Sequence, residues 1–366
     1  MSIRHNTDLA AWLRLTFAPG IGGQAQRALL QAFGLPPAIF KAGGSEIRNV
    51  IGDKLAEVLA SYDADAEIDG ALEWANTPGN HLITLADPAY PPALLETTDP
   101  PILLYAKGNI ELLQNPMLAV VGSRNATRQG ELDAESFSKH LAAAGLTIVS
   151  GMALGIDAAA HRGGLQHPAS TIAVIGTGID RIYPARNDKL AHEIADKGLI
   201  ISEFALGMGP LSNNFPRRNR IIAGLGRGCL VVEAAERSGS LITARLAAEI
   251  GRDVFAIPGS IHSSLAHGCH KLIRQGAKLV ETAHDVLEEL AWEDVVHPIP
   301  HLNLESPPAN KEELNVINAL GAAPCDLESL VERTGLTPDA LLAMLLPMEL
   351  DGLIASLPGG RYQKLG

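Results

Sequence analysis

Cysteine is scarce in this chain: Cys229, Cys269 and Cys325 are the three in 366 residues. None belongs to a CxxC pair, so no disulfide framework is available and a reducing, cytoplasmic setting is expected. His161, His167, His262, His267 and His270 fall at no metal-ligand spacing, and no metal is expected. No apolar run is long enough to span a membrane, and Arg4, His5 and Asp8 interrupt the first ten residues where a secretion signal would lie. GxxxxGK[ST] occurs nowhere and GxGxxG is missing from the first strand turn, which argues against ordinary ATP and dinucleotide sites and leaves no cofactor to expect.

Positive charge is also short overall, with a net charge of −12. Its distribution is uneven. Residues 101–280 hold 19 Lys+Arg against 14 Asp+Glu, whereas residues 1–100 hold 6 against 12 and residues 281–366 hold 4 against 15. Screening limits the reach of charge to about 8–10 Å at ordinary salt, so a groove responds to its own neighbourhood and the middle segment is where an anion would bind.

What is abundant is hydrophobic sequence, at 46%, together with 36 glycines, the composition of a compact α/β protein of two or three domains. The chain is organised around residues 215–259. They read as a basic loop, a short helix, a buried strand, the turn Ser238-Gly239-Ser240, a second helix and a further strand, with Arg217, Arg218, Arg220 and Arg227 crowding the first half. Basic side chains ahead of a small-residue helix start suit a phosphate, and equally an ordinary βαβ unit with surface arginines.

Further strands are expected at 102–105, 117–121, 147–149, 171–175, 199–202, 229–232 and 253–257, with a short edge strand at 279–280 and helices at 129–144, 158–164 and 241–250. The alternation spells a Rossmann-like, doubly wound, mainly parallel sheet. Ligands sit at the carboxyl ends of such strands. Those ends carry Gly122, Ser123 and Arg124; the run Ser150–Gly155, with Ser150, Gly151, Ala153 and Gly155 as binding candidates; Gly176–Gly178, with Gly176 a candidate; and Ser202 and Glu203. Glycines there admit a ligand close to the backbone.

Four segments are expected: a helical domain at 1–80, the sheet domain at 81–290, a proline-containing linker at 291–310 and a small unit at 311–366. The first contains two helices around Pro19-Gly20-Ile21-Gly22, a helix–hairpin–helix pattern with no Lys or Arg from residue 15 to residue 26, which in an acidic segment favours a structural or protein-contact role over DNA. Residues 81–108 read as an irregular connector. The last unit reads helix, helix, helix, hairpin, as a winged helix does, yet residues 338–350 hold Asp339 and Glu349 and no basic residue, which favours protein contact.

The motifs GSRNAT (122–127), SGMALGIDAAAH (150–161), GTGIDRIYPARN (176–187), ISEF (201–204), FPRRNRIIAGL (215–225), VVEAAERSGSLITARLAAEIGRDVFAIPG (231–259) and LIRQGAKLV (272–280) together resemble the DNA-processing protein A family, DprA/Smf. The front of the chain resembles the SAM-like domain of many members and the tail their winged-helix domain. The resemblance implies a single-stranded DNA-binding protein without enzymatic turnover. Such proteins protect incoming strands and load the RecA recombinase during natural transformation and homologous recombination, and they dimerise through the middle domain.

It also implies a strand-end pocket with Arg124 as a main phosphate ligand and Asn219 within the basic motif. Phe215 is then a base-stacking candidate or a core residue, Arg217 and Arg220 further groove cations, and Arg186 and Asn187 either crevice residues or helix caps. Glu203 and Glu233 are expected either to orient the arginines or to serve the fold. The chain departs from some relatives at Ser212-Asn213-Asn214, where they place a lysine. The enzyme alternative is a nucleotide phosphoribohydrolase of the LOG type, whose PGGxGTxxE signature is missing from the corresponding turn ERSGSLITARLAAE. A third reading is an adaptor acting through its tail.

Overall fold

The computed structural model describes residues 3–292, 311–320, 324–350, 353–357 and 359–364. The expected linker lies almost wholly outside the described residues. Nine strands form one sheet: β1 (Asn80–Thr84), β2 (Leu103–Gly108), β3 (Met117–Val121), β4 (Thr147–Ser150), β5 (Thr171–Val174), β6 (Leu199–Ser202), β7 (Gly228–Val231), β8 (Asp253–Ala256) and β9 (Lys278–Leu279). Their order is β1-β2-β6-β5-β4-β3-β7-β8-β9. From β6 to β9 all pairs are parallel, while β2 runs antiparallel to both β1 and β6. The chain leaves β3 toward β4 on one side and returns to β7 on the other, the topological switch at which open α/β sheets bind ligands.

The central strands are continuous apolar runs because helices cover both faces. Met117, Ala119 and Val121 point to one face, shared with Ile221, Ile222 and Leu225 of the helix Asn214–Leu225. Leu118 and Val120 point to the other, under the helices Arg128–Ala143 and Ile156–Gly164. Farther along that second face, Leu103, Tyr105, Ala173 and Ile200 share a core with Trp12, Leu13, Leu29 and Leu59 from the amino-terminal helices. The helices Ile3–Phe17 and Gly23–Phe33 flank the Gly20 turn, so the amino-terminal unit is seated on the sheet rather than merely tethered to it.

The carboxyl-terminal unit has its own core of Val316, Leu320, Leu330, Leu341 and Leu345. It contains the helices Lys311–Leu320, Leu327–Thr334 and Pro338–Leu350 and a sheet ordered β10-β12-β11, with β10 at Cys325–Asp326, β11 at Ile354–Leu357 and β12 at Arg361–Lys364.

Three expectations are corrected. The residues read as an irregular connector open with β1, where Leu82 pairs with Tyr105 and Ile83 is buried; the prolines that mask it begin only at Pro88. The two-residue β10 was not anticipated. Arg217, Arg218 and Arg220, read as a loop, lie instead on the helix Asn214–Leu225. Pro216 is tolerated in its first turn, where a backbone N–H has no helical partner to lose, and burial of Ile221, Ile222 and Leu225 fixes the rest.

Candidate nucleic-acid interface

Arg218 ties the carboxyl edge of the sheet together. Its side chain turns inward from the helix Asn214–Leu225 and is only 4% exposed. Nη1 donates to the carbonyl of Gly151 at 2.5 Å and to that of Val174, and Nε donates to Asn219 Oδ1 at 3.2 Å. Gly151 has no room for a Cβ beside this guanidinium. Burial lowers the Arg218 pKa to about 10, against the pull of nearby Asp157, so the group stays charged at neutral pH. Burial likewise holds the Asp157 carboxyl above its ordinary range despite Arg218, and Asp157 accepts a hydrogen bond from Ala153 N at 3.2 Å. Arg218, counted in the basic cluster as a single-strand-binding candidate, spends its guanidinium on the buried carbonyls at the ends of β4 and β5.

The loop 150–155 is held in an uncommon shape. Met152 is buried with φ 63°, and Gly155 at φ 71° abuts the Ser123 carbonyl so closely that a Cβ would collide. Asn187 Nδ2 donates to the carbonyls of Met152 and Ala153 at 2.8 and 3.1 Å, which makes the buried Asn187 a clamp on this loop. Ser150 is fully buried and donates its hydroxyl to Val120 O at 2.6 Å, leaving no side-chain donor for a ligand.

Above this scaffold lies a pocket of about 80 Å³ lined by Arg124, Gly151, Ala153, Leu154, Tyr183, Pro184, Phe215 and Arg218. Arg124 is exposed, its Cζ lies 5.5 Å from the centre of the Phe215 ring, and it makes no ion pair among the described residues. Tyr183 stands 5.8 Å from Phe215, centre to centre, with the rings at 42°. An uncommitted guanidinium and two rings over a cationic floor suit one phosphate and its neighbouring base. Tyr183 and Asp157 were missed by sequence reasoning, although both stand inside the quoted motifs, while Leu154 falls within the expected strand-end run 150–155.

Arg217 and Arg220 face elsewhere. Both meet Glu203 at the end of β6: Arg217 Nε and Nη2 reach Oε2 at 3.1 and 2.8 Å, and Arg220 Nη2 at 2.5 Å. Arg220 Nε also lies 3.1 Å from Asp99 Oδ2, and Asp99 pairs in turn with Arg27 of the amino-terminal unit. The Glu203 side chain is 2% exposed, and burial raises its pKa even beside two arginines. These residues border a separate groove of about 500 Å³ against the Gly20 turn. Glu203 therefore orients arginines as one reading held, while Glu233 does not. Glu233 accepts hydrogen bonds from Thr127 N and Oγ1 at 2.9 and 2.7 Å and fixes the start of the helix Arg128–Ala143.

Among the remaining candidates, Gly122 and Ser123 follow β3, and the Ser123 carbonyl receives Ile156 N at 3.1 Å. Gly176 accepts Asn214 Nδ2 at 3.1 Å, and Arg186 is exposed beside Asn187. Ser238, Gly239 and Ser240 open the helix Ser240–Glu249, with the two hydroxyls 2.7 Å apart, and none of the three lines the pocket. Among the described residues, no group of three or more His, Cys, Asp or Glu could hold a metal, and no helix is long and apolar enough to cross a membrane.

Comparison with known proteins agrees on one relationship. The sequence profile described as DNA recombination-mediator protein A matches residues 81–291, and that of the DprA winged helix domain matches residues 301–360. The chain is 43% identical to protein Smf of Escherichia coli over 300 residues, 80% of each chain. It is 53% identical to the DNA processing protein DprA of Streptococcus pneumoniae over 57% of this chain and 74% of that one. The X-ray structure of the Streptococcus pneumoniae protein superposes with a TM-score of 0.68 at 42% identity, covering 79% of this chain and 99% of that one. A Helicobacter pylori DNA processing protein A, whose structure describes a single-stranded DNA binding mode, superposes at 0.53 with 31% identity, over 58% of this chain and 97% of that one. A Rossmann-like sheet carrying a winged-helix domain, matched over this length, makes the chain a member of the DNA-processing protein A (DprA/Smf) family.

Proposed function

We propose that this protein binds single-stranded DNA along the carboxyl edge of its sheet, protects incoming strands and hands them to the RecA recombinase in natural transformation and homologous recombination. The observation that carries the reading is the exposed, unpaired guanidinium of Arg124 beside Phe215 and Tyr183, at the switch edge of the sheet. In this reading Arg124 grips a phosphate while N–H groups from the loops holding Gly122, Ser123, Ala153 and Gly155 approach the backbone. Arg218, Asn187 and Ser150 hold the loops, Arg186 borders the crevice, Asn219 lies beside Arg218, and Arg217 and Arg220 offer cations to the strand along the neighbouring groove. The protein works as a homodimer joined through the sheet domain, with residues 1–80, 81–290 and 311–366 as its domains.

No turnover belongs to this function. The turn at residues 236–249 lacks the PGGxGTxxE signature of the nucleotide phosphoribohydrolases, which speaks against a nucleotide as substrate. The test is a gel shift with a single strand and a blunt duplex of equal length, alongside incubation with nucleoside monophosphates. Preferred retention of the single strand and no free base are expected. Equal retention of both, or base release at an enzymatic rate, would contradict the proposal.

A further inference from the structure

Of the two aromatic residues at the pocket, only one has a ring free to receive a base. Phe215 is half-buried and already engaged: the Arg124 guanidinium lies over its ring, and the backbone of Gly176 is so near that a Cβ there would sit 3.0 Å from Phe215 Cδ1. Tyr183 touches Phe215 from the side and is itself 47% exposed, with a hydroxyl that bonds to no group among the described residues. The fold thus uses Phe215 as a wall and leaves the Tyr183 ring, braced against it, open to solvent, with Arg124 lining the same pocket.

We propose that Tyr183 is the stacking platform for an unpaired base of the bound strand, and that Phe215 is a positioning residue that props Tyr183 and Arg124. The proposal rests on the single-strand reading above and adds the residue that senses bases as distinct from phosphates. A stacked ring tolerates every base because each presents a π-face, so the contact adds affinity without sequence preference. The tyrosine hydroxyl has no part in it, and phenylalanine or tryptophan at 183 should serve as well.

The experiment is fluorescence anisotropy with a labelled oligothymidylate and an abasic sugar–phosphate oligomer of equal length, using wild type, Tyr183→Ala, Tyr183→Phe and Tyr183→Trp. Tyr183→Ala is expected to bind the oligothymidylate about 5- to 150-fold more weakly than wild type, yet to bind the abasic strand as wild type does. Tyr183→Phe and Tyr183→Trp are expected to stay within about twofold of wild type, and the new indole to be quenched by the base-bearing strand alone. Unchanged oligothymidylate binding by Tyr183→Ala, or an equal loss on both strands, would overturn the role of Tyr183 and leave the single-strand reading intact. A wild-type protein that retains neither strand would overturn that reading itself.

Discussion

Arginines 124 and 218 share one pocket and divide its labour by depth. Arg124 is exposed and free of ion pairs among the described residues, so Arg124→Ala is expected to leave the melting temperature unchanged while weakening single-strand binding. Arg218 instead satisfies buried carbonyls and faces Asp157. Arg218→Met should destabilise the protein by about 2–4 kcal/mol, because it strands those acceptors and a buried carboxyl; chemical denaturation measures this. His161 gives a pH signature. It is fully buried, its Nδ1 lies 2.7 Å from Thr171 Oγ1, and burial lowers its pKa to about 3. Thr171 donates its own hydroxyl to Ile148 O, so Nδ1 carries the proton toward Thr171. Below pH ~6.5 the unfolded chain takes up a proton that the folded chain refuses, so stability falls with pH down to about 3, by about 1.4 kcal/mol per pH unit. The buried acids Asp157 and Glu203, with raised pKa values, tilt stability the opposite way. The clean reading is therefore a difference: His161→Gln should show a shallower acid loss than wild type, measured as denaturation midpoints between pH 7 and pH 5.

At the scale of elements, the loop 150–155 and the start of the helix Asn214–Leu225 are one mechanical unit, pinned by Arg218 from one side and Asn187 from the other. Asn187→Ala frees the carbonyls of Met152 and Ala153 and should let Met152 leave φ 63°. Weaker binding with faster amide exchange in this loop is the expected outcome, read by hydrogen exchange. Most elements were legible in the sequence. Strands buried on both faces are written as unbroken apolar runs, and β3 and β6 lie where those runs place them. A short helix was expected before β7, but its start at Asn214 was not legible, because Pro216 and the arginine cluster look like a loop when the partner surface is unknown. The same limit hid the direction of each arginine. Charge counting ranks Arg217, Arg218 and Arg220 together, but Glu203, Asp99 and the carbonyls of Gly151 and Val174, which separate them, come from distant parts of the chain. For the same reason the two readings of Glu233 stayed open until its partner Thr127, 106 residues away, showed that it serves the fold.

For the whole molecule, a net charge of −12 and a nucleic-acid partner are compatible because the acid is carried mostly by the two ends. The carboxyl-terminal unit exposes Leu342 and Leu346 on a helix that holds no basic residue. Deleting residues 311–366 is therefore expected to leave single-strand affinity within about threefold of wild type, since each lost phosphate contact would cost far more than that. The amino-terminal unit shares a core with the sheet, so its removal should unfold neighbouring strands rather than cut off a passive arm. The central claim is that the carboxyl edge of the sheet holds the phosphates of an unpaired strand through Arg124. Its most direct test is the affinity for an oligothymidylate across a salt series, for wild type and Arg124→Ala. The account predicts a linear fall of log affinity with log salt for wild type, and for the variant a roughly ten- to hundred-fold weaker line with a slope shallower by about 0.7. Two superimposable lines would contradict it.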